Sequence, residues 1–318
     1  MRNQRPLPWR RRYDPYEIWV SEVMAQQTRI EVVLAYYERF LARFPTLAAL
    51  AAASDDDVTA AWSGLGYYRR ARMLRDGARA VRERGSMPRS IEELMTIPGI
   101  GRYTAGAIAS IAFDDAAPIV DGNVARVLAR VYANDGDPWA RAESLVRAAK
   151  SPRDLNQGLM ELGALVCKPR TPLCHACPLR DDCVARATGR VADFPRPKPK
   201  PATRALRIAL YLVTDRRGRV LMRRESGPLM NAMFHLPHGN TSLLAGAPLD
   251  VAPVDRLGAF RHTVTNRRIE FVVFSATAKR TPDFCWIDPA SDFPHPSYVR
   301  KALRLAGIEG QRPLFARP

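Results

Sequence analysis

Four cysteines, Cys167, Cys174, Cys177 and Cys183, stand with six, two and five residues between them, and this spacing constrains the chain more than any other feature. Thiolates this close in sequence can converge on one inorganic centre, and soft sulfur ligands select zinc, copper(I) or iron–sulfur clusters. Zinc sites usually join two separated Cys-x-x-Cys knuckles. Here there is one knuckle, Cys174 to Cys177, flanked by single cysteines at unequal distances. Pro169, Pro172 and Pro178 hold the intervening segments extended, so the thiolates can turn inward from a compact loop. The pattern favours a 4Fe-4S cluster over zinc and over four unrelated buried thiols. Cys285 has no partner at ligand spacing and is expected to be an ordinary buried thiol.

A metal centre of this kind argues for a reducing compartment and against a disulfide-stapled protein. The start, MRNQRPLPWRRR, has no apolar core of a signal peptide, and the longest apolar runs, such as Leu47 to Ala53, are too short to span a bilayer. A cytoplasmic protein without membrane contact is expected. The 318 residues suggest about two domains. The net charge is +17, and of 49 basic residues 43 are Arg. A preference for Arg over Lys does not explain the excess of base over acid, which favours a polyanion partner, nucleic acid before membrane.

The seam between the domains lies at Phe194-Pro-Arg-Pro-Lys-Pro-Lys-Pro201, where alternating proline forbids helix. It sets a helical domain at 1–194, a linker at 195–204 and a second domain at 205–318. Before the seam, Asp14-Pro-Tyr-Glu17 is a helix start, and Thr28 to Glu31 and Ser90 to Glu93 have the capping-box pattern. Apolar residues recur at three and four, as in Val32, Val33, Tyr36, Tyr37 and Phe40, so this part is all-α. After the seam, Leu206 to Thr214 and Arg219 to Arg224 flank the turn Asp215-Arg-Arg-Gly218, and Ile269 to Ala276 is a further strand, giving an α+β domain with strands leading.

Leu94-Met-Thr-Ile-Pro-Gly-Ile-Gly-Arg-Tyr-Thr-Ala105 places a tight turn between a capped helix and an apolar helix from Thr104 to Phe113. Gly99 and Gly101 permit close approach of a backbone, and amides at a helix start can meet a phosphate. This reads as a helix-hairpin-helix clamp on the DNA backbone, with an ordinary glycine-turned helical hairpin as the alternative. About twenty residues on, Val120-Asp-Gly-Asn-Val-Ala-Arg-Val127 sets a carboxylate just before another helix.

The hairpin, the carboxylate after it and the cysteine spacing together resemble the helix-hairpin-helix DNA glycosylases of the endonuclease III superfamily. Leu7-Pro-Trp-Arg10, Trp19-Val-Ser-Glu-Val-Met-Ala-Gln-Gln-Thr28, Gly64-Leu-Gly-Tyr-Tyr68, Asp121-Gly-Asn123 and Met160-Glu-Leu-Gly163 are similar to the MutY-type adenine DNA glycosylases, over about residues 5 to 200. The resemblance implies excision of adenine mispaired with 8-oxoguanine or guanine in double-stranded DNA, by a monomer. Cleaving an N-glycosidic bond needs a proton on the leaving base and stabilisation of an oxocarbenium-like sugar, jobs that paired carboxylates can share. Glu22 and Asp121 are the candidates. Ile18, Trp19, Val23 and Met24 surround Glu22 in sequence, an apolar setting that would raise its pKa. Asp121 is expected to stay ionised at its helix start. By the resemblance, Tyr103 positions or hydrogen-bonds Asp121 and Asn123 helps order the site. Arg5, Trp9, Arg10 and Glu161 line the adenine pocket, with Glu161 reading the exocyclic amine. Gln27 and Tyr67 match the intercalating pair, and Thr28 and Leu65 fall where the opposite base is contacted.

Glycosylases that also cut the strand use an amine to form a Schiff base. Endonuclease III-like enzymes carry that Lys where this chain has Tyr103, and there is no Lys from residue 1 to 149. A monofunctional enzyme follows. The alternatives are an endonuclease III-like lyase for damaged pyrimidines and a non-enzymatic iron–sulfur protein that binds DNA damage.

The second domain resembles the MutT-like domain of the same family, through its hairpin and Phe234-His-Leu-Pro237. After Gly239 the chain reads Asn-Thr-Ser-Leu-Leu-Ala-Gly-Ala-Pro-Leu-Asp250, without the Glu-rich box that holds magnesium in a Nudix hydrolase, so the domain is expected to bind and not hydrolyse. The family's Phe-Ser-His loop against 8-oxoguanine appears as Val264-Thr265-Asn266, leaving Thr265 as the polar contact. Related chains carry a further helix before Leu7-Pro-Trp, which leaves an upstream true start open.

Overall fold

A computed structural model describes residues 4–197, 202–225, 232–239, 251–264, 266–279 and 283–308. In chain order its helices are α1 (Pro15–Ala25), α2 (Ile30–Arg43), α3 (Leu47–Ala52), α4 (Asp55–Ala61), α5 (Arg69–Arg84), α6 (Ile91–Leu94), α7 (Arg102–Ala107), α8 (Gly122–Val131), α9 (Pro138–Ala148), α10 (Pro152–Glu161), α11 (Val184–Ala187) and α12 (Ser297–Leu305). Its strands are β1 (Arg204–Leu212), β2 (Val220–Arg224), β3 (Phe234–His235), β4 (Val251–Val264), β5 (Arg267–Ala278) and β6 (Cys285–Ile287). Two compact units emerge, neither contiguous in sequence: Met1–Ala52 with Met73–Pro199, and Ala53–Arg72 with Lys200–Pro318. No described helix is long and apolar enough to cross a membrane.

Of the three helix starts expected in the first unit, two follow the capping chemistry. The Asp14 carboxylate accepts the Glu17 N–H at 2.9 Å with Pro15 in the first turn. Ser90 accepts the Glu93 N–H and returns its hydroxyl to the Glu93 carboxylate. The box expected from Thr28 to Glu31 does not form. Gln27 takes a left-handed φ of 56°, so the chain turns late, Arg29 becomes the N-cap of α2, and the Thr28 hydroxyl donates to the Gln26 carbonyl. The helix expected over Thr104 to Phe113 begins at Arg102 and widens after Ala107 into a π-helical turn, Ile108–Ala112. Two apolar clusters hold this unit. Ile18 of α1 meets Ala107, Ile111 and Ile119, while Val124, Val127 and Leu128 of α8 pack on Ala142, Leu159 and Leu162.

In the second unit, β1 lies parallel to β5, with β4 antiparallel on β5's other side, and β2 is flanked by β3 and β6. Isolated strand Ile269 to Ala276 of the sequence pattern is thus β5, somewhat longer. The Asp215–Gly218 turn forms as its residues predict: Gly218 has φ 75° and the Asp215 carboxylate accepts the N–H groups of Arg217 and Arg219. Thr214 and Val220 bridge across it, but the main ladder of β1 is with β5. Ile208, Leu210, Ile269, Phe271 and Val273 face Tyr298, Val299, Ala302 and Leu303 of α12 to make the core. Cys285 corrects an expectation: it is exposed, not buried, because β6 pairs with β2 alone and lies at the sheet edge. Residues 240–250, where the Glu-rich box would fall, and Thr265 lie outside the described residues.

Candidate active site and cluster loop

Within the first unit, α1, the turn before α7 and the start of α8 meet around a cleft of about 960 Å³. Arg5, Trp9, Arg10 and Glu22 line it, as do Gln27 and Thr28. On its other side stand Gly99, Gly101, Tyr103, Asp121, Asn123 and Glu161. Twelve of the residues singled out in the sequence are therefore brought together, from segments more than 150 positions apart. Leu65, buried, and Tyr67, 46% exposed, belong to the second unit.

Glu22 is 5% exposed, on the α1 face that also buries Ile18 and Trp19. Burial pushes its carboxyl up to about 7, with nearby Asp121 adding to the rise and the Tyr103 hydrogen bond and Arg10 opposing it. The Tyr103 hydroxyl donates to Glu22 Oε2 at 2.6 Å. The resemblance paired this tyrosine with Asp121; its hydrogen bond goes to Glu22 instead, because α7 packs against α1 and carries the ring to that carboxyl. Burial and the Glu22 charge raise the Tyr103 phenol well above its ordinary value, so it serves as a donor.

Asp121 is the N-cap of α8. Its Oδ1 accepts the N–H groups of Asn123 (2.9 Å) and Val124 (2.7 Å), and its Oδ2 accepts the Asn123 side-chain amide at 2.9 Å. Both oxygens are thereby fixed in direction. A Cβ at Gly163 would lie 2.6 Å from the Asn123 Cβ, so only glycine lets α10's continuation close on this loop. Gly99, at φ 82°, has equally little room, its Cβ position lying 2.8 Å from that of Met73.

Glu161 is 7% exposed and held by two guanidinium groups. Arg5 Nε meets Oε2 at 2.9 Å, Arg5 also donates to Oε1 at 3.0 Å, and Arg10 reaches Oε1 at 2.8 Å. Burial alone would raise its pKa, but the Arg5 and Arg10 bonds together outweigh it and hold the carboxyl below its ordinary value. Trp9 is buried edge-on against Tyr37, with centroids 5.0 Å apart.

Cys167, Cys174, Cys177 and Cys183 line one small cavity with Arg130, Arg180 and Arg186 at its edge. Burial raises the Cys177 thiol, a backbone hydrogen bond from Leu179 opposes the rise, and the charges of Cys167, Cys183 and Cys174 add to it. Among the described residues no group of three or more His, Cys, Asp or Glu is gathered for a single metal ion. Four soft thiolates lining one cavity are the donor set of an iron–sulfur cluster. The four thiols hold a 4Fe-4S cluster.

The sequence reading passed over two buried arginines, Arg126 and Arg130. Arg126 donates to the Cys167 and Gly163 carbonyls and to Asn123 Oδ1 (2.8, 2.7 and 2.9 Å). Arg130 donates to the carbonyls of Lys168, Pro169 and Phe194. Their four-residue spacing puts them on one face of α8, yet a basic pair at that spacing is more often solvated. The helix that presents Asp121 at one end thus fastens the cluster loop by its side.

Residues 20–150 match the family model described as HhH-GPD superfamily base excision DNA repair protein. Residues 167–183 match the iron–sulfur binding domain of endonuclease III. The chain is 51% identical over 203 residues to the adenine DNA glycosylase of Homo sapiens, covering 58% of this chain and 37% of that one. It is 48% identical over 215 residues to the adenine DNA glycosylase of Rattus norvegicus, covering 60% and 42%. The chain therefore spans well under two thirds of the length of these relatives. A solved thermostable thymine-DNA glycosylase superposes with a TM-score of 0.53 at 30% identity, over 58% of this chain and 89% of the other.

Proposed function

We propose that this chain, which belongs to the HhH-GPD superfamily of base excision DNA repair proteins, is a monofunctional adenine DNA glycosylase that removes adenine opposite 8-oxoguanine or guanine from duplex DNA. One observation carries the reading: a buried carboxyl with a pKa raised to about 7, Glu22, shares a cleft with a second carboxyl, Asp121, whose two oxygens are fixed by three hydrogen bonds. Because Tyr103 donates to Glu22 Oε2, the proton of the neutral acid sits on Oε1 and can pass to the departing base. Asp121 faces the positive charge that develops on the sugar. Asn123 keeps it aimed. Glu161, held as a carboxylate by Arg5 and Arg10, presents acceptors to the exocyclic amine of adenine and none of the donors that a carbonyl in that place would need. The names of the relatives support the same substrate.

The rest of the reading follows from this one. Gln27 and Tyr67, both non-glycine residues at positive φ, enter the stack vacated by the flipped base, and Thr28 and Leu65 meet the opposite base. Gly99 and Gly101 bring the hairpin backbone to a phosphate, and the cluster loop, with Lys168, Arg170 and Arg180 exposed, supplies a further backbone-binding surface. The glycosylase part runs over 1–194, the linker over 195–204, and 205–318 forms a MutT-like domain that reads 8-oxoguanine through Thr265. The parallel β1–β5 pair and the helix α12 packed on that sheet support such a fold. The protein acts as a monomer.

A duplex with adenine opposite 8-oxoguanine, incubated with the protein and resolved with and without hot alkali, tests the reading. Scission only after alkali, and little borohydride-trapped adduct, are the expected results. Scission without alkali together with efficient trapping would replace it by a lyase, and no base release by a binding protein.

A further inference from the structure

The segment between α4 and α5, Ser63 to Tyr68, belongs to the second unit and has an unusual backbone. Gly64, Gly66 and Tyr67 all lie at positive φ, at 104°, 73° and 48°. Tyrosine at such a φ is strained and persists only where its surroundings over-determine it. Here they do. The Trp62 indole and the Arg70 guanidinium both donate to the Gly66 carbonyl at 3.2 Å, and the same guanidinium lies 5.4 Å from the Trp62 ring centre and 5.5 Å from that of Tyr67.

From the other side, the Tyr68 hydroxyl accepts the Gly64 N–H at 3.2 Å and donates to the His295 carbonyl at 2.8 Å. The Ser63 hydroxyl donates to that same carbonyl at 2.9 Å. His295 is 5% exposed, and Arg300 donates to its Nε2 at 2.9 Å. One carbonyl of the chain's last third thus anchors both ends of a loop whose next-to-last residue, Tyr67, keeps an exposed ring.

We infer that the Tyr68 hydroxyl is a positioning residue for base extrusion, bridging Gly64 to the His295 carbonyl so that Tyr67 is presented to the duplex in one fixed pose. The inference rests on the glycosylase reading above. It gives the segment around His295 a part in opening the duplex, separate from recognition of the opposite base. Pre-organisation matters here because an aromatic wedge that must first be ordered loses part of what its insertion contributes.

The test uses the full chain with its cluster. Stopped-flow emission of 2-aminopurine placed beside the target adenine reads loss of stacking, and single-turnover adenine release is followed in parallel. Tyr68→Phe, which keeps the ring and removes the hydroxyl, should slow both by about five- to 150-fold, the effect of the two hydrogen bonds it makes. Ser63→Ala should act in the same direction and less strongly. Normal extrusion in Tyr68→Phe, whatever its thermal midpoint, overturns the inference, and if that variant fails to fold, normal extrusion in Ser63→Ala does so. Tyr67→Ala separates the two levels. Unchanged extrusion there removes the wedge role itself, whereas absent adenine release by the unmodified protein removes the glycosylase reading.

Discussion

The Tyr103 hydroxyl donates to Glu22 Oε2 at 2.6 Å, which ties the tyrosine after the glycine turn to the buried acid. Its effect on Glu22 is to lower a pKa that burial raises to about 7. Adenine release should therefore be flat at acid pH and decline as pH rises through about 7, when Glu22 loses its proton. Tyr103→Phe removes the lowering influence, so the alkaline limb should move to higher pH even as the rate falls. Pre-steady-state rates across pH decide this, and a limb displaced downward would show that Tyr103 does not act through Glu22.

Linkage makes a second statement about the same group. An acid whose folded pKa lies above 4.5 binds a proton in the native state that the unfolded chain has released. Stability falls as pH rises through the window from about 4.5 to 7 and the whole cost is present above it. Glu22→Gln is neutral throughout. It should match the parent near pH 4 and exceed it by about 3 kcal/mol near pH 8. Urea titrations at the two pH values measure the difference, and one that does not grow with pH would mean Glu22 is not protonated in the native state.

The cluster should colour the purified protein yellow-brown and account for four irons per chain. Cys177→Ser should lose colour, thermal stability and duplex affinity together, because metal binding is folding energy for such a loop. Colourless protein carrying stoichiometric zinc would overturn the assignment.

Arg102 immediately follows the hairpin's Gly101, and its guanidinium lies 4.1 Å over the Trp139 ring, which holds an exposed cation in place. Arg102→Ala should weaken binding to any duplex alike and lower the slope of log affinity against log salt by about one. Trp139→Ala should weaken binding in the same way. An unchanged slope would mean that Arg102 touches no phosphate.

Local chemistry was legible in the sequence wherever the cause was local. Asp14 with Pro15, Ser90 with Glu93, and Asp215 with Gly218 each fix a helix or turn start through atoms a few residues apart. The cysteine spacing is of the same kind. The Thr28 start failed because the preceding turn depends on Gln27 holding a left-handed φ, which no local preference of glutamine announces. Partnerships across the fold were not legible either. Tyr103 finds Glu22 rather than Asp121 only once α7 lies on α1, Arg126 and Arg130 become buried anchors only once the cluster loop closes over α8, and β1 takes β5 as its partner across more than fifty residues. Cys285 is exposed because of its place at a sheet edge, which composition does not encode.

The central claim is that Glu22 supplies the proton. Single-turnover release of adenine opposite 8-oxoguanine, measured for the unmodified protein and for Glu22→Gln at equal occupancy of the duplex, tests it most directly. The amide keeps the shape of the acid and cannot donate that proton. Binding should stay within a few-fold, while release should slow by roughly 150-fold or more, about 3 kcal/mol of lost transition-state stabilisation. Release at a near-native rate by Glu22→Gln would contradict the account.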